Sequence, residues 1–362
     1  MNTFGRVFRA TTFGESFSAA VGAVIDGCPS GIRLGANDIQ RELDRRKPGQ
    51  SILASQRKES DRAEILSGTL DGKTLGTPIA VMVKNEDADE KPYEKIKDLL
   101  RPGHADFTYR EKYGHVDWRG GSRASGRETV GRVIGGAIAK KFLSFKKIEV
   151  TGHVSEIAGI VAKKMDFDGI AKNSDKTAVR CADLKAARKM ESAILASRNG
   201  RDSLGGIAEI RARGVPPGLG EPVFGKLDAE IAVAMMSIGS VKGVEIGSGF
   251  AASQMKGSEN NDAFYMKNGK VSLRSNNAGG ILGGISTGEE IVVRIAVKPT
   301  PSIARKQDTV NVKTMKDSEI EVMGRHDPCI CPRIVPVAEA MLSLTLADNY
   351  LLWSAYENSK AR

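Results

Sequence analysis

Residues 125–143 read SGRETVGRVIGGAIAKKFL and carry the clearest structural signal in this chain. Ser125, followed three residues later by Glu128, matches a capping box and predicts that a helix begins at Ser125. Large apolar residues from Val130 to Phe142 then recur with helical period, while glycine and alanine keep another face of the helix small. The pattern predicts a deeply packed helix over residues 126–143.

Segments on both sides of this helix indicate strands more often than helices. Strands are predicted at 19–26, 206–213, 241–246 and 290–298, and a hairpin at Asp71-Gly72 joins the apolar segments 63–70 and 78–83. Shorter helices are predicted at 37–47, with Asn37 as its cap, and at 182–198, 227–236 and 333–350. Short turns between strands favour an α+β fold with antiparallel sheets, and without a linker or repeat we expect a single domain over residues 1–362.

Composition narrows the class of protein. In 362 residues, 54 Lys and Arg against 44 Asp and Glu give a net charge of +10, which predicts an anionic partner. No apolar run is long enough to span a membrane. The four cysteines form no CxxC pair, and the first residues do not resemble a secretory signal, so we expect free thiols and a cytoplasmic protein. The 40 glycines direct the search for function to the loops.

The loop at 117–128, DWRGGSRASGRE, is the strongest candidate for a binding site. A glycine-rich loop that leads into a helix N-terminus presents free backbone N–H groups and the positive end of the helix dipole. Arg119, Arg123 and Arg127 add fixed positive charge beside them. The loop therefore predicts an anion site, the alternative being a loop with solvated arginines.

Two histidines stand beside arginines in turns. His104 lies in the segment 101–106, RPGHAD, where a phosphate-facing general acid is one interpretation and a structural histidine is the other. Arg325, His326 and Asp327 place a cation, a titratable ring and a carboxylate in consecutive positions before a proline, which fits either a reactive cluster or an ordinary turn.

Two further loops suit a cofactor. The glycine-rich segment 275–286 predicts close approach to a flat ligand or to another backbone, and the segment 298–302, KPTPS, offers a cation and two hydroxyls to a phosphate. Standard nucleotide motifs and metal-binding spacings are not found in the sequence, and we predict no metal.

Taken together, these segments resemble the chorismate synthase family along nearly the whole chain. The segments that carry the resemblance are 11–16, 44–46, 101–106, 119–129, 241–247, 275–286, 298–302, 324–329 and 338–341. The resemblance implies a layer of helices between two antiparallel sheets and a homotetramer. It implies a trans-1,4-elimination of phosphate from 5-enolpyruvylshikimate 3-phosphate that gives chorismate, the last common step of aromatic amino acid biosynthesis. The reaction requires reduced FMN without net redox change.

The resemblance also implies roles for individual residues. His104 is the expected proton donor near the departing phosphate, and Asp327 is expected near N5 of the flavin. Substrate or NADP contacts are expected from Arg45, Arg46, Arg101 and Arg127. FMN contacts are expected from Arg123, Ala124, Ser125, Gly239, Ser240, Gly283, Lys298, Pro299, Thr300, Pro301, Ser302 and Arg325. We predict no intrinsic reductase activity, so NADPH enters only as an external reductant.

The chain departs from the family pattern beside the flavin. Phe17-Ser18 stands where the family has His-Gly, which removes a proton donor whose pKa is ordinarily near ~6.5. Smaller departures are Ile52 in place of arginine, Gly239-Ser240 in place of Asn-Ala, and Gly126 in place of alanine.

Three interpretations follow from the sequence. The first is a working enzyme in which another group replaces the histidine or arginine balances an anionic flavin. The second is a paralogue that binds FMN or substrate and turns over poorly. The third, a nucleic-acid binder, has only the net charge in its favour, because no basic recognition helix or RNA-binding aromatic motif is found in the sequence. We therefore expect a small anionic substrate, with neither nucleic acid nor membrane as a partner.

Overall fold

The computed structural model describes residues 1–51, 53, 59–87, 90–322 and 326–360. Within them, a layer of helices separates two antiparallel sheets of five strands each. The α+β class and the sandwich implied by the family resemblance are therefore confirmed. Buried apolar side chains from both sheets and from the helices form one contiguous core, which supports the single domain proposed from the sequence.

The first sheet has the strand order β1-β2-β3-β7-β4. Its strands are β1 (Thr3–Phe4), β2 (Arg9–Phe13), β3 (Ala20–Asp26), β4 (Glu64–Ile65) and β7 (Ile79–Lys84). The predicted hairpin at Asp71-Gly72 is present but short, joining β5 (Thr69–Leu70) to β6 (Lys73–Thr74). The longer apolar segments are not its two arms, because 63–70 is divided between β4, which pairs with β7, and β5.

The second sheet has the order β11-β16-β10-β8-β9. Its strands are β8 (Glu149–Ile157), β9 (Ile160–Val161), β10 (Gly206–Arg213), β11 (Val241–Ile246) and β16 (Ile291–Val297). In β16 every second residue from Ile291 to Val297 is buried, as its alternating sequence predicts. Two-stranded hairpins complete the strands: β12 (Phe264–Lys267) with β13 (Lys270–Leu273), β14 (Ile281–Leu282) with β15 (Ile285–Ser286), and β17 (Gln307–Asn311) with β18 (Lys316–Ile320).

The helices of the described residues are α1 (Ala36–Arg46), α2 (Lys91–Glu94), α3 (Asp106–Tyr113), α4 (Thr129–Phe145), α5 (Phe167–Asn173), α6 (Leu184–Asn199), α7 (Leu227–Met236), α8 (Gly257–Asn260) and α9 (Cys331–Ser359). The last helix is longer than the predicted range 333–350. The residue that precedes α1 is Gly35, so Asn37 lies inside the first turn and is not the cap that the sequence predicted. None of the helices that the structure describes combines the length and the apolar character needed to cross a bilayer.

Helices α4 and α9 form the centre of the layer. α4 packs on β2 and β3 of the first sheet, and α9 packs on β8 and β10 of the second. The two helices approach so closely that a Cβ added at Gly136 would lie 2.2 Å from the Cβ of Ala340. The small face predicted for residues 126–143 is thus the contact that brings the two halves of the sandwich together.

The two ends of the chain are tied to each other at Asp348 on α9. Its carboxylate accepts hydrogen bonds from the backbone N–H groups of Arg6 at 3.0 Å, Val7 at 2.6 Å and Phe8 at 2.9 Å. Asp348 is only 3% exposed. This carboxylate therefore fixes the segment between the first two strands to the last helix.

Candidate active site

A cavity of about 1250 Å³ opens where the loop at 117–128 meets the first sheet, α9 and the loop at 298–302. Its volume exceeds the ~300–1,000 Å³ of a pocket for one small ligand. Most of the residues assigned from the family resemblance line it: Arg46, Arg101, His104, Arg123, Ala124, Ser125, Arg127, Gly239, Ser240, Lys298, Thr300, Pro301, Ser302 and Asp327. The sequence therefore identified residues on several sides of the cavity, although the elements that carry these residues are far apart in the chain.

Three assigned residues are placed differently, and a fourth lies outside the described residues. The structure puts Arg45 in an ion-pair cluster behind α1, where its guanidinium contacts Glu339 at 2.5 Å. Pro299 lies behind the cavity wall, beside Gly205. Gly283 lies near the start of α7, and the opposite end of this helix reaches the cavity. The ten-residue helix, ~15 Å long, therefore separates Gly283 from the cavity. Arg325 falls outside the described residues.

The glycine-rich loop forms two short 3₁₀ turns, Ser122–Ala124 and Gly126–Glu128, and α4 begins only at Thr129. Ser125 is the predicted N-cap, because its hydroxyl accepts from the backbone N–H of Arg127 at 2.9 Å, but the reciprocal half of the predicted capping box is not formed. Glu128 does not return to Ser125 and instead pairs with Arg132 at 2.9 Å. Ser125 also makes a hydrogen bond of 2.5 Å with Ser16, which is 3% exposed and lines the cavity.

Arg123 reaches across this loop to the first sheet. It donates to the carbonyl of Gly14 at 3.0 Å and to the hydroxyl of Thr12 at 2.6 Å. Its partners in the part of the chain that the structure describes are neutral oxygens, so no carboxylate there compensates its charge. Arg123 is thus a cation held in place and available to an anionic ligand.

His104 faces the cavity from the loop before α3. Its Nε2 lies 2.7 Å from the Oγ of Ser302. Burial lowers the pKa of His104 to about 4, and the positive charges of Arg101 and Lys298 act in the same direction. The imidazole is therefore neutral at neutral pH in the free protein.

Arg101 lies beside His104 and is oriented by Asp106, to which it donates two hydrogen bonds of 2.6 and 2.8 Å. Its guanidinium also donates to the carbonyl of Gly120 and lies 5.7 Å from the ring centroid of Tyr93. These contacts tie the loop at 101–106 to the glycine-rich loop.

The wall beside His104 is formed by the loop at 298–302 and by His326. Among the described residues, the buried Oγ1 of Thr300 and Nε2 of His326 have no hydrogen-bond partner. Lys298 donates to the carbonyl of Gly103 at 2.6 Å, and its backbone N–H is bonded to the carbonyl of Ser240. This wall offers a cation and unused polar atoms to a ligand.

Sequence reasoning missed Arg333, which lies on the first turn of α9 and lines the cavity. It is paired with Asp327, and its Nε donates to the carbonyl of Arg46 at 3.2 Å. Burial, with Arg101 acting in the same direction, lowers the pKa of the adjacent His326. The signal available in the sequence was the spacing of Arg333 six residues after Asp327, at the start of a helix.

Phe17 also lines the cavity. Its ring meets that of Tyr93 edge to face at 5.6 Å, and the guanidinium of Arg119 lies 5.8 Å from its centroid. A cation over an aromatic face is an attractive arrangement. The position taken by histidine in the family is therefore occupied here by a packed ring.

Positive charge dominates the cavity. Its described lining carries eight cationic side chains against four carboxylates, with three histidines: Arg46, Arg101, Arg123, Arg127, Arg132, Lys242, Lys298 and Arg333; Glu59, Asp117, Glu128 and Asp327; His104, His115 and His326. Such a surface attracts anions and binds carboxylate or phosphate groups through the guanidinium forks. The site predicted from the sequence is thus assembled as an anion-binding cavity.

Comparison with known proteins gives one consistent result. The family model described as chorismate synthase matches residues 8–351. The chorismate synthase of Methanococcoides burtonii is 57% identical over 350 residues, which cover 97% of this chain and 96% of that protein. The chorismate synthase of Chloroflexus aggregans is 55% identical over 351 residues, with 97% and 95% covered. A crystal structure of chorismate synthase superposes with a TM-score of 0.79 at 33% identity and covers 96% of this chain and 93% of that one. With this match over nearly its full length, the chain belongs to the chorismate synthase family.

Proposed function

We propose that this chain converts 5-enolpyruvylshikimate 3-phosphate into chorismate by trans-1,4-elimination of phosphate, with reduced FMN bound beside the substrate. The observation that carries the proposal is the convergence of Arg46, Arg101, Arg123 and His104 on one cavity. The substrate has two carboxylates and a phosphate, which need several cations placed around one small molecule. Nothing in the comparisons favours the poorly active paralogue.

His104 and Arg101 act on the leaving group in this proposal. Arg101 neutralises the phosphate, and its orientation is set by Asp106 before substrate arrives. The phosphate brings negative charge next to His104 and so raises the pKa of the imidazole from its low value in the free protein. His104 then holds a proton at the atom that faces the departing oxygen.

The glycine-rich loop and the loop at 298–302 together fit an FMN molecule. Arg123, Ser125 and Lys298 offer a cation, a hydroxyl and an ammonium group to the phosphate and ring edges, and Thr300 Oγ1 provides a buried oxygen without a partner among the described residues. The bound reduced flavin supplies electron density to the substrate and recovers it, so that no net redox change results. The protein's own task is to position both molecules and exclude water from between them.

Reduced FMN from an external source, with NADPH as a possible upstream reductant, is part of the proposal, as are a homotetramer and a cytoplasmic location. The four cysteines are free and buried, which agrees with a reducing compartment. Arg45, Pro299, Gly283 and Arg325 stay predicted contacts from the family resemblance.

The test is an anaerobic assay of the purified chain with substrate and chemically reduced FMN. We expect chorismate and phosphate in equal amounts, and no turnover with oxidised FMN. Binding of substrate and FMN without release of phosphate would instead indicate the paralogue. Oxidation of NADPH by the isolated chain at the rate of turnover would contradict the external source of reduced flavin.

A further inference from the structure

Asp61 lies directly behind the cavity wall and contacts two of its arginines. The side chain is fully buried, and it is separated from the cavity by Arg46 and Arg127. One carboxylate oxygen accepts from Arg46 at 2.8 Å, and the other accepts from Arg127. A single carboxylate thus bridges two guanidinium groups that reach the cavity from different elements.

Arg46 depends on this contact more than Arg127 does. Its remaining described bonds go to the neutral oxygens of Gly126 at 3.0 Å and Thr129 at 3.2 Å, and its Nε is buried with no partner among the described residues. Asp61 is the carboxylate that its guanidinium contacts in this part of the chain. The orientation of Arg46 at the cavity is therefore set mainly by Asp61.

Arg127 is held by further groups. Its Nε donates to Asn85 at 2.6 Å, and its terminal nitrogens contact the carbonyl of Lys84 at 3.1 Å and the carboxylate of Glu59 at 3.6 Å. These contacts would still hold the guanidinium of Arg127 if Asp61 were changed.

The backbone at Asp61 is fixed to the helix that carries Arg46. Gln40 on α1 donates to the carbonyl of Asp61 at 3.2 Å and accepts from the N–H of Ala63 at 2.9 Å. Asp61 adopts a left-handed φ of 49°, a conformation that aspartate tolerates better than most side chains. The helix and the loop therefore keep Asp61 and Arg46 in a fixed relation before any ligand binds.

We propose that Asp61 is a positioning residue for substrate binding, which orients the guanidinium of Arg46 toward the anionic substrate. The inference rests on the proposed function for the identity of that substrate. Asp61 touches no ligand itself. It acts through Arg46, so that part of the ordering of a long side chain is complete before the substrate arrives.

Electrostatics agree with this geometry. Burial lowers the pKa of Arg46 to about 10; Asp61 opposes this change, whereas Arg333 and Arg127 add to it. Without the Asp61 carboxylate, Arg46 would be repelled by two neighbouring cations and held, among the described residues, only by the neutral oxygens of Gly126 and Thr129. The guanidinium would move away from them, and its fork would no longer match the substrate.

The test compares Asp61→Asn with a matched control, Asp71→Asn, which removes an exposed carboxylate from a turn where the backbone has a similar left-handed φ of 50°. We expect Asp61→Asn to raise the KM for substrate about 10- to 100-fold, as for loss of a hydrogen bond to a charged group, with kcat within about threefold. Calorimetric titration of substrate in the presence of oxidised FMN should show the same loss of affinity, and Asp71→Asn should leave both values unchanged. Unchanged affinity in Asp61→Asn would overturn the proposal.

A second comparison covers the loss of stability expected when Asp61→Asn leaves two buried cations. The double variant Asp61→Asn, Arg46→Gln removes both partners and restores the balance of charge. If Asp61 acts through Arg46, the double variant binds substrate within about threefold of Arg46→Gln alone. An equal further loss in both backgrounds would contradict action through Arg46.

Inorganic phosphate, titrated into the same variants and followed by ³¹P line broadening, separates this inference from the proposed function. A wild-type chain that fails to convert substrate would contradict the proposed function alone. Weaker phosphate binding in Asp61→Asn than in Asp71→Asn would still support the positioning role, and equal binding in both would oppose it.

Discussion

The imidazole of His104 and the hydroxyl of Ser302 lie 2.7 Å apart at Nε2 and Oγ, although 198 residues separate them in the chain. This bond joins the loop before α3 to the loop after β16, and it fixes the plane of the His104 imidazole beside Arg101. The donor in the bond depends on the tautomer of the ring.

Replacing His104 should therefore affect the chemical step more than binding. We expect His104→Gln to lower kcat about 10²–10⁴-fold, the usual contribution of a general acid, with a smaller change in KM. Ser302→Ala should lower kcat less, because the imidazole remains and only its orientation is lost. Stopped-flow measurement of chorismate formation gives both values, and an equal loss in the two variants would contradict the assignment of His104 as the proton donor.

The low pKa of His104 predicts that substrate binding takes up a proton. At pH 6 the free protein holds the ring neutral, because its pKa is about 4, whereas the bound phosphate raises that pKa. Calorimetric titrations of substrate, with FMN oxidised, in two buffers of different ionisation enthalpy measure the uptake. We expect it to decrease in His104→Gln, and an unchanged value would assign the proton to another group.

Because the pKa of His104 is low in the folded protein, this residue makes a pH-dependent contribution to the free energy of unfolding. In the unfolded chain the ring titrates near its ordinary ~6.5, so between pH 6.5 and 4 the unfolded state binds a proton that the folded state does not. The free energy of unfolding therefore falls as pH decreases through this window and is unaffected by His104 above it. Thermal melts should show a smaller loss of Tm from pH 7 to pH 4 in His104→Gln than in the wild type.

Phe17 tests whether this chain needs the family histidine. In the structure the position is packed against Tyr93 and lies close to Arg119, so an imidazole placed there would lose its proton readily. We expect Phe17→His to change anaerobic turnover by less than about threefold. A gain of tenfold or more would show that the native chain lacks a group that limits its activity.

The contact between α4 and α9 leaves no space for a methyl group. Gly136→Ala places its Cβ 2.2 Å from that of Ala340, and we expect a loss of about 1–3 kcal/mol in the free energy of unfolding. Gly126→Ala is the matched control, because nothing lies within 4 Å of a Cβ built there. Chemical denaturation measures both. The added Cβ would also lie 2.4 Å from the Cα of Ala340, so Ala340→Gly should restore only part of the loss, and full restoration would show that the side chain of Ala340 alone is the obstacle.

The periodicity of short sequence segments was enough to predict many of the helices and strands. The strand periodicity in residues 290–298 and the apolar face of residues 227–236 correspond closely to β16 and α7, because burial on one face imposes a period on the sequence. The order of the strands in each sheet does not follow from such patterns, since it depends on pairs such as β11 with β16 that are distant in the chain.

The site shows the same division. The arginine, glycine and histidine residues of the loops line the cavity as predicted from the sequence. The sequence could not show which group would pair with each cation. Arg45 and Arg46 are neighbours in sequence, yet Arg45 turns to Glu339 on α9 and Arg46 to the cavity. The sequence assigned Glu128, at the start of α4, to a capping box, whereas in the structure its carboxylate pairs with Arg132.

The position of Asp348 late in the sequence affects when the first strands can be fixed in place during synthesis. Because the backbone N–H groups of Arg6, Val7 and Phe8 bind an acceptor that lies 340 to 342 residues later in the chain, the first strands are synthesised long before the carboxylate that anchors them. A chain shortened before Asp348 should therefore lack the group that fixes this segment to α9.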